Sequence, residues 1–279
     1  MFDKIKSHAK INLALNIVGK SKSLHKIESI VSFIELHDEI YIKRINKQNH
    51  QISFFGEFSK NINSKNTVSK LIEILDNKNL LKKKFYIKIR KKIPIKSGLG
   101  GGSMNAATIL KYFLKKKIIK LSKEEVLEVS RFVGEDVILG LNSSLLILNS
   151  KNEIKQFKGC KTFFTLIVKP NFGCSTKEIF SRVRKFEKSR FNKPNKKMFD
   201  SKYLNEMHNS LEPIVLMKYP KLKKIKSFLE GLSKSLFVRM TGSGSAIVAY
   251  FENKKDCDKS MTQFKKEYKK YWCISSKTI

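Results

Sequence analysis

Residues 94–108 read PIKSGLGGGSMNAAT, and four of the five residues 98–102 are glycine. The stretch before them, FYIKIRKKIPI at 85–95, alternates apolar and polar side chains as a strand does. The stretch after them, 103–117, places Ala106, Ala107, Leu110 and Phe113 at helical spacing. A strand therefore ends, turns on glycine and opens into a helix. Such a turn brings bare backbone N–H groups and the positive end of a helix dipole to one point, which favours an anion. The alternative is a tight turn that needs glycine only for its dihedrals. One or two glycines meet that need, and four exceed it.

Spacing separates this loop from two common phosphate motifs. A P-loop, GxxxxGK[ST], requires a lysine before the serine, and Gly102 precedes Ser103. The dinucleotide fingerprint GxGxxG fails because Gly98-x-Gly100-x-x is completed by Ser103. Ser103 stands at the expected helix start, where its hydroxyl can cap the helix, touch a phosphate or ligate Mg²⁺.

The rest of the chain reads as mixed α and β. Ile11, Leu13, Leu15 and Ile17 share one face of a strand, and β-rich stretches follow at 27–34 and 38–45. Helical spacing returns at 66–81, with Asn66 or Thr67 as N-cap, and at 122–133, where Ser122 and Glu125 match a capping box. Strands are expected at 144–149, 162–169 and 236–240, then AIVAYF after the second glycine cluster, TGSGS at 241–245. Helices are expected at 203–217, 220–232 and 254–268, and WCISSK as a last strand. The polar, lysine-rich stretch 181–202 is expected to be a mobile surface segment. The order is α+β, divided into 1–155 and 156–279.

The net charge of +34 raises a nucleic-acid footprint as a possibility. Yet the basic residues are spread along the whole chain, and only seven of the 58 are arginine. Abundant Lys, Ile and Asn point instead to a compositional bias toward AT-rich codons, so no nucleic-acid partner is expected. No run of eighteen apolar residues suggests a membrane span, and the N-terminus lacks the pattern of a signal peptide. Cys160, Cys174, Cys257 and Cys273 form no CxxC pair and are read as reduced thiols of a cytoplasmic protein.

Three ordered segments carry a family resemblance. HAKINLALNIVGKSKSLHKIESI at 8–30, PIKSGLGGGSMNAAT at 94–108 and RMTGSGSAIVAYF at 239–251 resemble motifs of the GHMP kinases, named for galactokinase, homoserine kinase, mevalonate kinase and phosphomevalonate kinase. GEDV at 134–137 and HNSLEP at 208–213 stand where that family has related segments. The resemblance is strongest to members that phosphorylate a hydroxyl of a cytidine-diphosphate-linked polyol on the non-mevalonate route to isoprenoid precursors. It implies an N-terminal domain like the second domain of ribosomal protein S5 and a ferredoxin-like C-terminal domain. Another GHMP kinase, acting on mevalonate or homoserine, and a basic RNA-binding protein are the rival readings.

The resemblance also implies roles. ATP would rest its phosphates on Pro94, Ile95, Lys96, Ser97, Gly98, Leu99, Gly100, Gly101, Gly102, Ser103 and Met104, with Asn66 on the same side. Mg²⁺ would arrive with ATP and touch Ser103, without a dedicated metal site. Lys10 and Asp136 would be the catalytic pair: Asp136 accepts the hydroxyl proton, and Lys10 keeps it ionised and steadies the alkoxide. Glu135 is the other carboxylate at hand. Asn12, His25, Thr176, Phe180, Thr241 and Gly242 would face the cytidine diphosphate substrate, His25 beside the base. Four positions depart from the family pattern: Leu24 replaces an aromatic, Met104 a serine, Ile138 a proline and Ser210 an aspartate. The expected assembly is a monomer or homodimer.

Overall fold

The computed structural model describes residues 1–21, 24–142 and 144–279. Ser23, within the SLH stretch, lies outside the described residues. Two long strands open the chain, β1 (Asp3–Ser21) and β2 (Leu24–Ile45), and pair with each other. The apolar alternation in β1 is real, but both faces of its middle are covered. Lys10, Asn12 and Asn16 are buried alongside Ile11, Leu13 and Ile17. Buried polar groups on a strand have to be paired, so these three mark where β1 does more than fill a core. β2 is one continuous strand where the sequence suggested two.

Contacts divide the chain into two compact units, each assembled from separated segments. The first comprises Met1–Lys10, Leu36–Ile95 and Gly100–Ser143, the second Ile11–Glu35, Lys96–Leu99 and Ser144–Ile279. Both draw on β1 and β2.

In the first unit, β3 (Gln51–Phe55) runs parallel to β4 (Lys84–Arg90), and β4 runs antiparallel to β2. Ile40 faces Ile89 and Ile42 faces Ile87 in register. Helices α1 (Thr67–Asn77), α2 (Gly101–Lys115) and α3 (Lys123–Val133) and the short α4 (Val137–Gly140) cover this sheet. Their apolar stripes, among them Val68, Leu71, Ala106, Leu110, Phe113 and Val129, close one core with Phe85, Ile87 and Ile89. Phe113 is fully buried, and truncating it to alanine would cost about 3–5 kcal/mol. Ser122 and Glu125 form the capping box expected of α3. Helix α2 starts two residues earlier than its sequence suggests, inside the glycine run, and Gly100 is its N-cap. Ser103 therefore lies in the first turn and does not cap the helix. Glycine's poor helix propensity is the reason the start is misread.

In the second unit, β5 (Leu145–Leu148) pairs with β2 and with β6 (Ile154–Phe157). A separate antiparallel sheet has the order β10-β7-β9-β8. Its strands are β7 (Phe164–Lys169), β8 (Phe237–Met240), β9 (Ile247–Phe251) and β10 (Trp272–Lys277). Between β7 and β8 lie α5 (Thr176–Ser181), α6 (Ser201–Glu206), α7 (Glu212–Lys218) and α8 (Pro220–Glu230), and α9 (Lys254–Glu267) joins β9 to β10. This is the ferredoxin-like arrangement that was expected. Leu222, Ile225 and Leu229 of α8 and Phe264 of α9 pack on Leu166, Val168, Val238 and Ile247.

Two expectations fail here. The helix expected at 203–217 is broken between α6 and α7, because the Asn209 amide leaves the helical pattern to donate to the Met240 and Gly242 carbonyls, 2.8 Å each. The 181–202 stretch is irregular yet pinned. The buried Glu28 carboxylate accepts from Ser189 Oγ and from the Arg190 and Phe191 N–H groups, and Phe191 is fully buried. Composition suggested mobility, and a carboxylate more than 160 residues away in sequence supplies the anchor.

No described helix is long and apolar enough to cross a membrane. All four cysteines are free thiols.

Candidate active site

In the first unit the buried strand β1 delivers Lys10, whose side chain is 4% exposed. Its ammonium lies 3.3 Å from Asp136 Oδ2, at the start of α4. Burying an ammonium is costly without a partner, so this ion pair explains how Lys10 is tolerated inside a strand. Burial, and then the charge of Asp136, push the Glu135 carboxyl above the usual carboxylate range.

Gly100 adopts a left-handed conformation, φ 69°, and a Cβ there would sit 2.8 Å from Lys10 Cγ. The glycine loop thus rests directly on the lysine stem. A Cβ at Gly102 would meet Thr67 Oγ1 at 2.9 Å, so the first turn of α2 approaches the start of α1. Ser103 Oγ and Thr67 Cγ2 lie near Gly134, 3.9 and 4.0 Å from where a Cβ on it would sit, ordinary van der Waals distances. Lys10, Asp136, the first turn of α2, Thr67 and Gly134 are therefore neighbours. The N–H groups of an α-helix's first turn have no intrahelical acceptor, and Gly101, Gly102 and Ser103 are the first turn of α2.

Two residues expected to touch ATP have other engagements. Asn66 caps α1: its Oδ1 accepts from the Val68 and Ser69 N–H groups, and its Nδ2 donates to the Asn63 and Ser64 carbonyls. Met104 is 2% exposed, its sulfur and methyl 3.0 Å from a Cβ position on Gly140, and its N–H bonds to Gly100 O. Its place in the helical turn rotates it into the core, away from the loop's open side. Pro94 is buried and Ile95 half-buried at the loop's entry.

In the second unit the remaining loop residues, Lys96–Leu99, lie against the TGSGS turn. The Ala246 N–H donates to Ser97 O at 3.0 Å, and the Ser245 N–H to Lys96 O at 3.4 Å. Gly98 has φ 79°, and a Cβ there would collide with Thr241 O at 2.0 Å. Gly242, φ 54°, packs against Gly98 in return. The Asn12 N–H donates to Thr241 Oγ1 at 3.1 Å, and the Asn12 amide donates to Ser29 Oγ at 2.9 Å. Asn12, Thr241, Gly242 and the 96–99 segment are thus one hydrogen-bonded group. Thr176 joins its edge, 2.8 Å from Ser243 Oγ.

His25 is half-buried beside Phe180, ring centroids 5.2 Å apart, and beside Phe186 at 6.4 Å. Burial, and after it the charge of Lys20, hold its imidazole below the usual histidine range. Leu24, where an aromatic was missed, is 59% exposed. Phe186, 49% exposed, is a ring that sequence reasoning left inside a segment dismissed as polar. Three phenylalanines among the lysines, Phe186, Phe191 and Phe199, were the signal.

Residues 66–146 match the GHMP kinases N terminal domain and residues 184–270 the GHMP kinases C terminal domain. A 4-diphosphocytidyl-2-C-methyl-D-erythritol kinase of Pelagibacter ubique is 56% identical over 277 residues, 99% of each chain. The kinase of the same name from Buchnera aphidicola is 36% identical, over 91% of this chain and 86% of its own. Among solved structures, a 4-(cytidine 5'-diphospho)-2C-methyl-D-erythritol kinase superposes with a TM-score of 0.79 at 19% identity, covering 99% of this chain and 100% of the other. A homoserine kinase from Cytophaga hutchinsonii superposes with 0.71 at 16% identity, over 99% and 95% of the two chains. Those two similarities bear on the fold. Two family domains in order, and a relative alike over nearly every residue, decide membership: the chain belongs to the GHMP kinase family of ATP-dependent small-molecule kinases.

Proposed function

We propose that the protein transfers the γ-phosphate of ATP to the 2-hydroxyl of 4-diphosphocytidyl-2-C-methyl-D-erythritol, a step in forming isoprenoid precursors by the non-mevalonate route. The observation that carries this reading is the full-length 56% identity to the Pelagibacter kinase of that name. The division into a 1–155 N-terminal and a 156–279 C-terminal domain belongs to the same proposal, and the gap between the two family matches, 146 to 184, brackets it. The four free thiols support a cytoplasmic setting.

Phosphoryl transfer asks a protein for alignment, charge neutralisation and an outlet for the hydroxyl proton. The N–H groups of Gly101, Gly102 and Ser103 and the dipole of α2 receive the phosphates. The Ser103 hydroxyl, beside Gly134 and Thr67, would hold a Mg²⁺ ion brought with ATP, and such an ion would neutralise charge developing on the transferred group. Asp136 accepts the substrate's hydroxyl proton, late in a loose transition state. Lys10, 3.3 Å from Asp136, offers a fixed positive charge to the incoming oxygen. Asn12, Thr241, Gly242 and Thr176 belong to the substrate side of the same reading.

The base is received at His25, between Phe180 and Phe186. A ring face suits a planar pyrimidine and needs no aromatic at position 24. The aromatic contact to the base in this chain thus comes from Phe180 and Phe186, beside His25, and not from position 24.

The test is a panel of acceptors with γ-labelled ATP: 4-diphosphocytidyl-2-C-methyl-D-erythritol, mevalonate and homoserine. The expected result is label in the first alone. Phosphorylation of mevalonate or homoserine, with the cytidine compound refused, would overturn it.

A further inference from the structure

A fully buried carboxylate of the first unit with four hydrogen-bond donors lies outside the catalytic group. Asp38, on β2, is fully buried. Its Oδ1 accepts from the Lys92 N–H at 2.8 Å and the Ile93 N–H at 2.9 Å. Its Oδ2 accepts from the Lys91 ammonium and from Asn105 Nδ2 at 3.0 Å. Residues 92 and 93 immediately precede the glycine loop, and Asn105 follows it on α2. One carboxylate therefore holds both ends of the 94–104 loop.

Three details argue that this arrangement serves the loop rather than the core. First, the contact is direct: a Cβ at Gly101 would lie 3.0 Å from Ile93 Cγ2 and 3.2 Å from Lys91 Nζ. The residues gripped by Asp38 thus form the floor under the first turn of α2. Second, Asn105 is 1% exposed, and its Oδ1 has no hydrogen-bond partner among the described residues. An apolar residue there would avoid that cost. The amide donates to Asp38, a bond an apolar side chain cannot make. Third, Lys91 is 3% exposed, and burial pushes its ammonium below the usual lysine range against the opposing pull of Asp38. A buried ion pair of this kind is a weak source of stability and a better source of fixed geometry.

We propose that Asp38, with Lys91 and Asn105, is a positioning group that sets the span of the glycine loop and aims the N–H groups of Gly101–Ser103 at the phosphates of ATP. The inference rests on the reading of 94–104 as the phosphate loop. The group touches neither phosphate nor alcohol. It acts by fixing where the donors sit, and a displacement of about 1 Å there is enough to lose two orders of magnitude.

The test compares the affinities of ATP and adenosine by calorimetry in the wild type, in Asn105→Ala, and in the double variant Asp38→Asn/Lys91→Met. The double variant removes both buried charges together, so no ion is stranded. Asn105→Ala cuts only the arm to α2 and keeps the result readable if the double variant does not fold. The expected outcome is an ATP affinity about tenfold to a hundredfold lower, with adenosine affinity within about twofold of wild type. An ATP-to-adenosine ratio unchanged in Asn105→Ala, whatever its melting temperature, would overturn the proposal, because a purely structural role lowers stability without touching that ratio. A wild-type protein that binds ATP no better than adenosine would instead overturn the phosphate-loop reading itself.

Discussion

The Lys10 ammonium and the Asp136 carboxylate stand 3.3 Å apart, the lysine side chain 4% exposed and the aspartate 43%. A buried cation thus presents its charge beside a carboxylate that solvent can reach. Lys10→Met keeps the stem that packs on Gly100 and removes the charge. We expect kcat to fall by about 10²-fold or more, the size of losing one preorganised charge, with a melting temperature close to wild type. Equal activity in Lys10→Met would remove Lys10 from the chemistry.

Gly100 tests how closely the loop and the lysine depend on each other. Its φ of 69° costs an alanine about 1–2 kcal/mol. The new Cβ also lands 2.8 Å from Lys10 Cγ. Gly100→Ala should lower stability by at least that strain and lower kcat as well, because the lysine stem has to move. Steady-state kinetics and thermal melts check both. A variant that loses stability and keeps full kcat would show that the contact is packing alone.

Phe186 carries the account of the base. A stacking contact is worth about 1–3 kcal/mol, so Phe186→Ala should raise KM for the cytidine substrate by roughly fivefold to a hundredfold and leave KM for ATP unchanged. Phe180→Ala should behave alike. If both Michaelis constants of Phe186→Ala match wild type, the base lies elsewhere.

His25 gives a pH dependence of definite sign. Its pKa is lowered by burial and then by Lys20, so the folded chain holds a proton there less readily than the unfolded chain. The stability tied to the neutral ring is present above the ordinary histidine value, about 6.5, and is lost as pH falls through the lowered one. The neutral ring is also the form offered to the base. KM for the cytidine substrate should therefore rise on the acid side of 6.5, and His25→Gln should abolish that rise. A profile that survives the substitution assigns the titration to another group.

What the sequence made legible was local. The capping box of Ser122 and Glu125 and the cap at Asn66 involve residues three apart, and both form. The glycine loop was legible because four bare residues between a strand and a helix have few uses. What stayed hidden depended on partners far along the chain. Asn209 breaks a helix for carbonyls at 240 and 242, and Glu28 pins a lysine-rich segment at 189–191. Met104 stood next to Ser103 in sequence, but a helix turns about 100° per residue, and Met104 faces Gly140 in the core. Asp38 is one of two adjacent acids, Asp38 and Glu39, at the head of a β-rich stretch, and nothing local distinguishes it from a surface charge.

The most direct measurement is single-turnover transfer from ATP to 4-diphosphocytidyl-2-C-methyl-D-erythritol by Asp136→Asn, with Glu135→Gln as the neighbouring control. The amide keeps the shape of Asp136 and cannot accept the proton. Transfer should slow by about 10²–10⁴-fold while both ligands still bind, and Glu135→Gln should keep nearly full activity and gain stability above the raised pKa of Glu135. Transfer by Asp136→Asn within about threefold of wild type would contradict the account at its centre.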